Sequence, residues 1–137
     1  MSREPIPDHD RPCALVVDDN SLMRIVLSSL LIHRGYRVVE ESSSEMALAR
    51  LREDRFDLVV LDIMMFKMSG IELCRIIREE LALVDLPVVA YTAHGDIFNV
   101  AHMRLAGFND FLFKPVDGRA LDAVLQELRA VPSGKAG

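Results

Sequence analysis

The sequence predicts an α/β fold built on a parallel sheet, and two observations carry that expectation. Five short runs rich in β-branched and aromatic residues alternate with segments of helical period. The runs are nearly continuous in apolar residues, as strands covered on both faces are. Strand and helix alternating in this way imply right-handed crossovers and a sheet covered by helices. In such sheets, ligands sit outside the carboxyl ends of the strands, where strand order reverses.

The strands are expected at CALVVD (Cys13 to Asp18), YRVVE (Tyr36 to Glu40), FDLVVLD (Phe56 to Asp62), PVVAYT (Pro87 to Thr92) and DFLFK (Asp110 to Lys114). Between them, Leu22, Ile25, Val26 and Leu30 mark a first helix, and Ala47, Leu48 and Leu51 a second. Cys74, Ile77 and Leu81 mark a third, and Leu121, Val124, Leu125 and Leu128 the last. The fourth, from about Asp96 to Leu105, is weaker and more polar. Ser42 with Glu45, and Ser69 with Glu72, fit the S-x-x-E capping box. Gly35 and Gly107 stand where glycines end helices, and Asp117 can cap the last helix.

At 137 residues the chain has the length of one domain. The folded part is expected over 13–131, with residues 1–12 and 132–137 as loose tails. Net charge is −5 with no basic run, which disfavours nucleic-acid binding. No secretory segment opens the chain, and no apolar stretch reaches the ~18 residues a membrane span needs. Cys13 and Cys74 lie far apart and form no CxxC, so they are expected as reduced, packed thiols in a cytoplasmic protein.

The polar residues converge on one rim. The first strand ends in Asp18 and Asp19, the third in Asp62, the fourth in Thr92 and the fifth in Lys114. Only the second strand, ending in Glu40 and Glu41, contributes nothing obvious. Adjacent strand residues point to opposite faces, so Asp18 and Asp19 share a site only if the strand stops there. Carboxylates crowded at one rim repel, and a hard divalent cation relieves this; Mg²⁺ takes a few carboxylates plus waters and phosphate oxygens. Lys114 suits a phosphoryl group and Thr92 offers a hydroxyl, completing a phosphoryl-transfer set. Taken singly, each has an ordinary reading: an Asp at a strand end is usually a turn residue or cap, a strand Thr is common, and Lys-Pro signals a loop. Their coincidence on four strand ends favours the functional reading.

From about Cys13 to Val131, the pieces VVDDN, VVLDIMMFKMSG, YTA and FLFKP, in that order, resemble the receiver domain of two-component response regulators. The resemblance implies a flavodoxin-like, doubly wound five-stranded sheet of order 2-1-3-4-5 with five helices. It implies that Asp62 accepts a phosphoryl group from a histidine kinase or histidine phosphotransferase. Mg²⁺ (or Mn²⁺) would be held by Asp19, Asp62 and the backbone carbonyl of Met64, with Asp18 acting through water. Lys114, whose bond to Pro115 is typically cis in the family, would pair with the acceptor and the phosphoryl oxygens. Thr92 would then grip the phosphoryl group and Phe111 would follow it inward, a population shift between two packings.

The chain departs from the family pattern at a few places. Phe66 stands where Pro is usual four residues past the acceptor, which makes MMFKM an apolar loop beside a charged site. Its side chains are expected to fold onto the sheet or the third helix, a docking patch for a kinase or target being the sharper reading. Phe111 replaces the more common Tyr. Met64 and His94 flank the path of attacking water, and slow to intermediate self-dephosphorylation is expected. His9, His33 and His102 show no ligand spacing. Output is expected as protein contact, to a downstream target or a second copy, through the face of the fourth helix, fifth strand and fifth helix; Ile97, Phe98, Phe113 and Val116 are its apolar members, although Ile97 reads better as core. Two other functions compete: a phosphorylation-independent receiver-like scaffold, and a Mg²⁺-dependent aspartyl-phosphate phosphatase, whose D-x-D-x-T signature the DDNS of the first strand end does not match.

Overall fold

The computed structural model describes residues 10–93 and 100–130. The two tails, His9, His94, Ile97, Phe98 and the side chain of His102 lie outside the described residues. Five strands, β1 (Cys13–Val17), β2 (Arg37–Glu41), β3 (Leu58–Asp62), β4 (Val88–Ala93) and β5 (Asp110–Lys114), form one parallel sheet in the order β2-β1-β3-β4-β5. Helices α1 (Ser21–His33), α2 (Ser44–Glu53), α3 (Gly70–Glu79), α4 (Val100–Ala106) and α5 (Gly118–Ala130) connect or follow them. This is the expected fold and strand order.

The period-2 alternation of the strands divides the interior into two layers. Leu15, Val17, Val59, Leu61, Val88 and Ala90 face α2, α3 and α4, where they meet Leu48, Leu73, Ile77 and Met103. Ala14, Val16, Leu58, Val60, Val89, Tyr91 and Leu112 face α1 and α5, against Leu27, Leu31, Leu121 and Val124. Both cysteines are buried and free.

In α1 the expected face is only half right: Val26 and Leu30 pack against the core, partly buried. Leu27 and Leu31 are its buried apolar anchors, whereas Leu22 and Ile25 are more than half exposed. The helix is apolar around most of its circumference, so spacing alone could not select the side that packs. Val116, expected on the surface after the fifth strand, is buried in the α1–α5 layer, while Leu105 and Phe113 are exposed.

The caps mostly follow the sequence. Gly35 takes φ 93°, and the amides of Gly35 and Tyr36 donate to Ile32 and Leu31 in a Schellman closure of α1. Ser69 and Glu72 form the reciprocal capping box of α3, and the Asp117 carboxylate accepts from the Ala120 amide. The cap of α2 is one residue later than expected: Ser43, not Ser42, accepts from the Met46 amide. Three consecutive serines leave the register open locally. Tertiary structure closes it, since Ser44 is buried and its hydroxyl donates to the Met68 carbonyl.

That bond ties α2 to the loop between β3 and α3. Met65 and Met68 fold onto the core, as expected for this apolar loop, but Met64 and Phe66 do not; Phe66 is 81% exposed. At the end of the loop, α3 begins almost in contact with β3, and a Cβ on Gly70 would collide with the carbonyl oxygen of Asp62. The Gly70 amide donates to Ile63, closing the loop behind Asp62. Gly70→Ala is expected to lower stability by about 1–3 kcal/mol through this overpacking, measured by urea unfolding; an unchanged midpoint would show that the loop yields freely.

Candidate phosphoryl-acceptor site

Strand alternation decides which side chains meet at the rim. Asp18 continues the series Ala14–Val16, Asp62 the series Leu58–Val60, and Lys114 follows Leu112, so all three rise on the α1–α5 side. Thr92 continues the opposite series, Val88–Ala90, and Phe111 pairs with Ala90 on that same side. The site therefore straddles the end of the sheet, with carboxylates and lysine on one side and the hydroxyl and aromatic on the other.

β1 stops at Val17, as the shared site requires. Asp18 is fully buried and fixed at several points: its amide donates to the Glu41 carbonyl at 3.1 Å, and its Oδ1 accepts from the Asn20 amide at 2.9 Å. Arg24 of α1 donates to the Asp18 carbonyl at 2.7 Å and is itself paired with Glu40 at 2.9 Å. The second strand thus does contribute: Glu40 and Glu41 hold the segment that carries Asp18. Asn20 caps α1, and Asp19 between them stays exposed.

Asp18, Asp19 and Asp62 each place a carboxylate oxygen within 4.8 Å of the others. Two like charges about 5 Å apart repel by roughly 3 kcal/mol at an effective dielectric of 20. Lys114 offsets part of this, with Nζ 2.8 Å from Asp18 Oδ2 and 3.3 Å from Asp62 Oδ1. The lysine therefore sits nearer Asp18 than the residue it was expected to pair with. The reason is burial: Asp18 has no access to water, whereas Asp62 keeps a slight opening.

Burial, then the neighbouring Asp18 charge, push the Asp62 carboxyl up to about 7, against the opposing pull of Lys114. Asp62 Oδ1 also accepts from the Met64 amide at 3.3 Å. Thr92 is buried, and its hydroxyl donates a long bond to the Ala93 carbonyl at 3.4 Å. Phe111 is half-buried, with the Arg104 guanidinium 5.3 Å from its ring centroid. The bond between Lys114 and Pro115 is cis.

The residues expected at the rim do meet there, but sequence reasoning missed Gly70 and Arg24. A glycine after a capping serine hints at close packing; Arg24, a lone arginine in a largely apolar helix, gave no signal. A groove at the opposite end of the sheet is lined by Tyr36, Phe56, Leu83 and Arg129 among others, and includes none of these residues.

The model of the response regulator receiver domain matches residues 14–126, and the chain belongs to that family. The transcriptional regulatory protein AfsQ1 of Streptomyces coelicolor is 39% identical over 120 residues, which cover 88% of this chain and 51% of AfsQ1. The CAI-1 autoinducer sensor kinase/phosphatase CqsS of Vibrio cholerae is 35% identical over 85% of this chain and 18% of its own length. The chain thus spans about half the length of the first relative and less than a fifth of the second. Among solved structures, a response regulator from Chloroflexus aurantiacus superposes with TM-score 0.82 at 29% identity, covering 89% of this chain and 100% of that one. The chemotaxis response regulator CheY4 of Vibrio cholerae gives 0.77 at 25% identity, over 86% and 98%. Receiver domains are signalling modules phosphorylated on aspartate; they bind Mg²⁺ at an acidic pocket and interact with histidine kinases or phosphotransferases. Among the described residues, no helix is long and apolar enough to cross a membrane.

The raised Asp62 carboxyl has a stability consequence. It binds a proton more tightly folded than unfolded, so its stabilising contribution is complete below about pH 4 and is lost as pH rises through about 7. Asp62→Asn, which removes the charge, is expected to stabilise the metal-free protein at pH 8 by on the order of 2 kcal/mol. The gain should shrink toward pH 5 in urea melts run in EDTA; a gain independent of pH would contradict the assignment.

Proposed function

We propose that this chain is a phosphorylation switch in which Asp62 accepts a phosphoryl group and the change is read by protein contact. The observation that carries the reading is a nearly buried carboxylate, Asp62, crowded by two others and reached by Lys114 at 3.3 Å. A carboxylate so crowded is a poor anion alone and a good nucleophile once a cation shares the site. Mg²⁺ (or Mn²⁺) suits it: the three carboxylates supply hard oxygen donors, and Asp19 is open to solvent. Asp19, Asp62 and the Met64 carbonyl would hold the ion directly, with Asp18 acting through water. When bound, it neutralises the carboxylates and the charge developing on phosphoryl oxygens.

An Asp62 carboxylate oxygen attacks phosphorus, and the bond from phosphorus to the donor breaks. The imidazole of a phosphohistidine leaves, or acetate when acetyl phosphate is the donor. Lys114, shared between Asp18 and Asp62 beforehand, turns to the arriving phosphoryl oxygens. The Thr92 hydroxyl, whose bond to the Ala93 carbonyl is long, is available to donate to the same group. Its withdrawal toward the rim opens space for Phe111 on the same side of the sheet, at the expense of the Arg104 contact. Hydrolysis is slow to intermediate, with the Met64 side chain standing exposed beside the acceptor.

The donor is a sensor histidine kinase or a histidine phosphotransferase, and the setting cytoplasmic. The reader is a downstream protein or a second copy, through the face of α4, β5 and α5. Exposed Leu105 and Phe113 support that face. Exposed Phe66 and Met64 lie in the acceptor loop, and they support contact of the donor there.

Intact mass after incubation with acetyl phosphate tests the reading. One added phosphoryl group (~80 Da) is expected, dependent on Mg²⁺ and absent in Asp62→Asn. No adduct in the wild type under any condition, with no spectral response to beryllofluoride, would favour the phosphorylation-independent scaffold.

A further inference from the structure

Tyr91 lies one row below the rim, paired with Asp62 on β3 and with Leu112 on β5. Its side chain is fully buried in the layer against α1 and α5. The Lys114 ammonium stands 5.0 Å from its ring centroid while touching both Asp18 and Asp62. The Lys114 side chain is only 13% exposed, so little water competes for the ammonium. The Tyr91 hydroxyl lies beside the Val116 backbone but makes no hydrogen bond of good geometry. Its contact with the ring therefore gives this tyrosine a link to the site that its hydroxyl does not supply.

We propose that Tyr91 is a positioning residue for phosphoryl transfer, its ring face holding the Lys114 ammonium at the edge shared by Asp18 and Asp62. The inference rests on the role of Lys114 given above. A lysine stem has four carbons and many rotamers, and carboxylate attraction alone would draw the ammonium to whichever oxygen is nearest. A buried aromatic face beside it supplies attraction without a competing charge. The ammonium is thereby kept between the carboxylates, from where it reaches a phosphoryl group on Asp62 with a small movement. The ring thus acts through the lysine and touches no reacting atom.

The chain has three lysines, Lys67, Lys114 and Lys135, so the Lys114 side-chain signals are readily assigned by NMR. In the wild type the Lys114 methylene protons next to the ammonium should show a ring-current shift. Tyr91→Phe should keep that shift and an acetyl-phosphate phosphorylation rate within about twofold of wild type. Tyr91→Leu, and Tyr91→Met as a longer, more adaptable apolar control for folding, should lose the shift and slow phosphorylation by about thirtyfold, the scale of a desolvated cation–π contact. In a Lys114→Ala background the same changes at Tyr91 should have no further effect. A folded Tyr91→Met with wild-type rate would overturn the proposal, as would a Tyr91→Phe as slow as Tyr91→Leu, or a defect that persists without Lys114. If the wild type shows the ring-current shift but takes up no phosphoryl group, the transfer role fails with the proposed function, and the contact itself stands.

Discussion

Charge crowding at one rim of the sheet is the constraint around which this molecule is arranged. Asp18, Asp19 and Asp62 converge within 4.8 Å, Asp18 fully and Asp62 nearly buried. Left alone, they would spread apart or protonate. Asp18 and Asp62 stay because each is fixed through its backbone. Asp18 hangs from β2 and from Arg24, and Asp62 is locked by the loop that Gly70 closes behind it. The lysine then needs only to compensate the charge, since it does not have to hold the carboxylates in place.

The same arrangement explains why the site is poised and not settled. A single ammonium serves two carboxylates, and burial of Asp18 draws it closer to that side. Asp62 is left undercompensated, and its carboxyl rises to about 7. Any positive charge added at Asp19 lowers that cost. Any negative group added at Asp62 draws the lysine across. On the other face of the sheet lie Thr92, whose hydroxyl makes a long bond to the Ala93 carbonyl, and Phe111, whose ring faces Arg104, the pair to which the proposed switch assigns the response to phosphorylation.

Much of this was legible in the sequence, for a physical reason. Strands buried on both faces read as apolar runs, and a polar residue ending such a run must lie at the sheet's edge. That is why Asp18, Asp62, Thr92 and Lys114 announced themselves. The residues that hold them did not. Arg24 looks like any helix arginine until Glu40 and the Asp18 carbonyl are seen on either side of it. The packed face of α1 was hidden because nearly every face of that helix is apolar. The cap of α2 was hidden because three serines are locally equivalent, and only the distant Met68 carbonyl distinguishes them. Interactions settled by tertiary partners leave no local pattern to read.

The central claim, that Asp62 is held as an undercompensated carboxylate, is tested most directly by its own titration. The measurement is the ¹³C carboxyl shift of Asp62 followed by NMR against pH in EDTA, then repeated with saturating Mg²⁺. The account predicts a midpoint near 7 without the ion and a marked downward displacement with it. A midpoint in the ordinary range near 4 without the ion, unmoved by Mg²⁺, would contradict it.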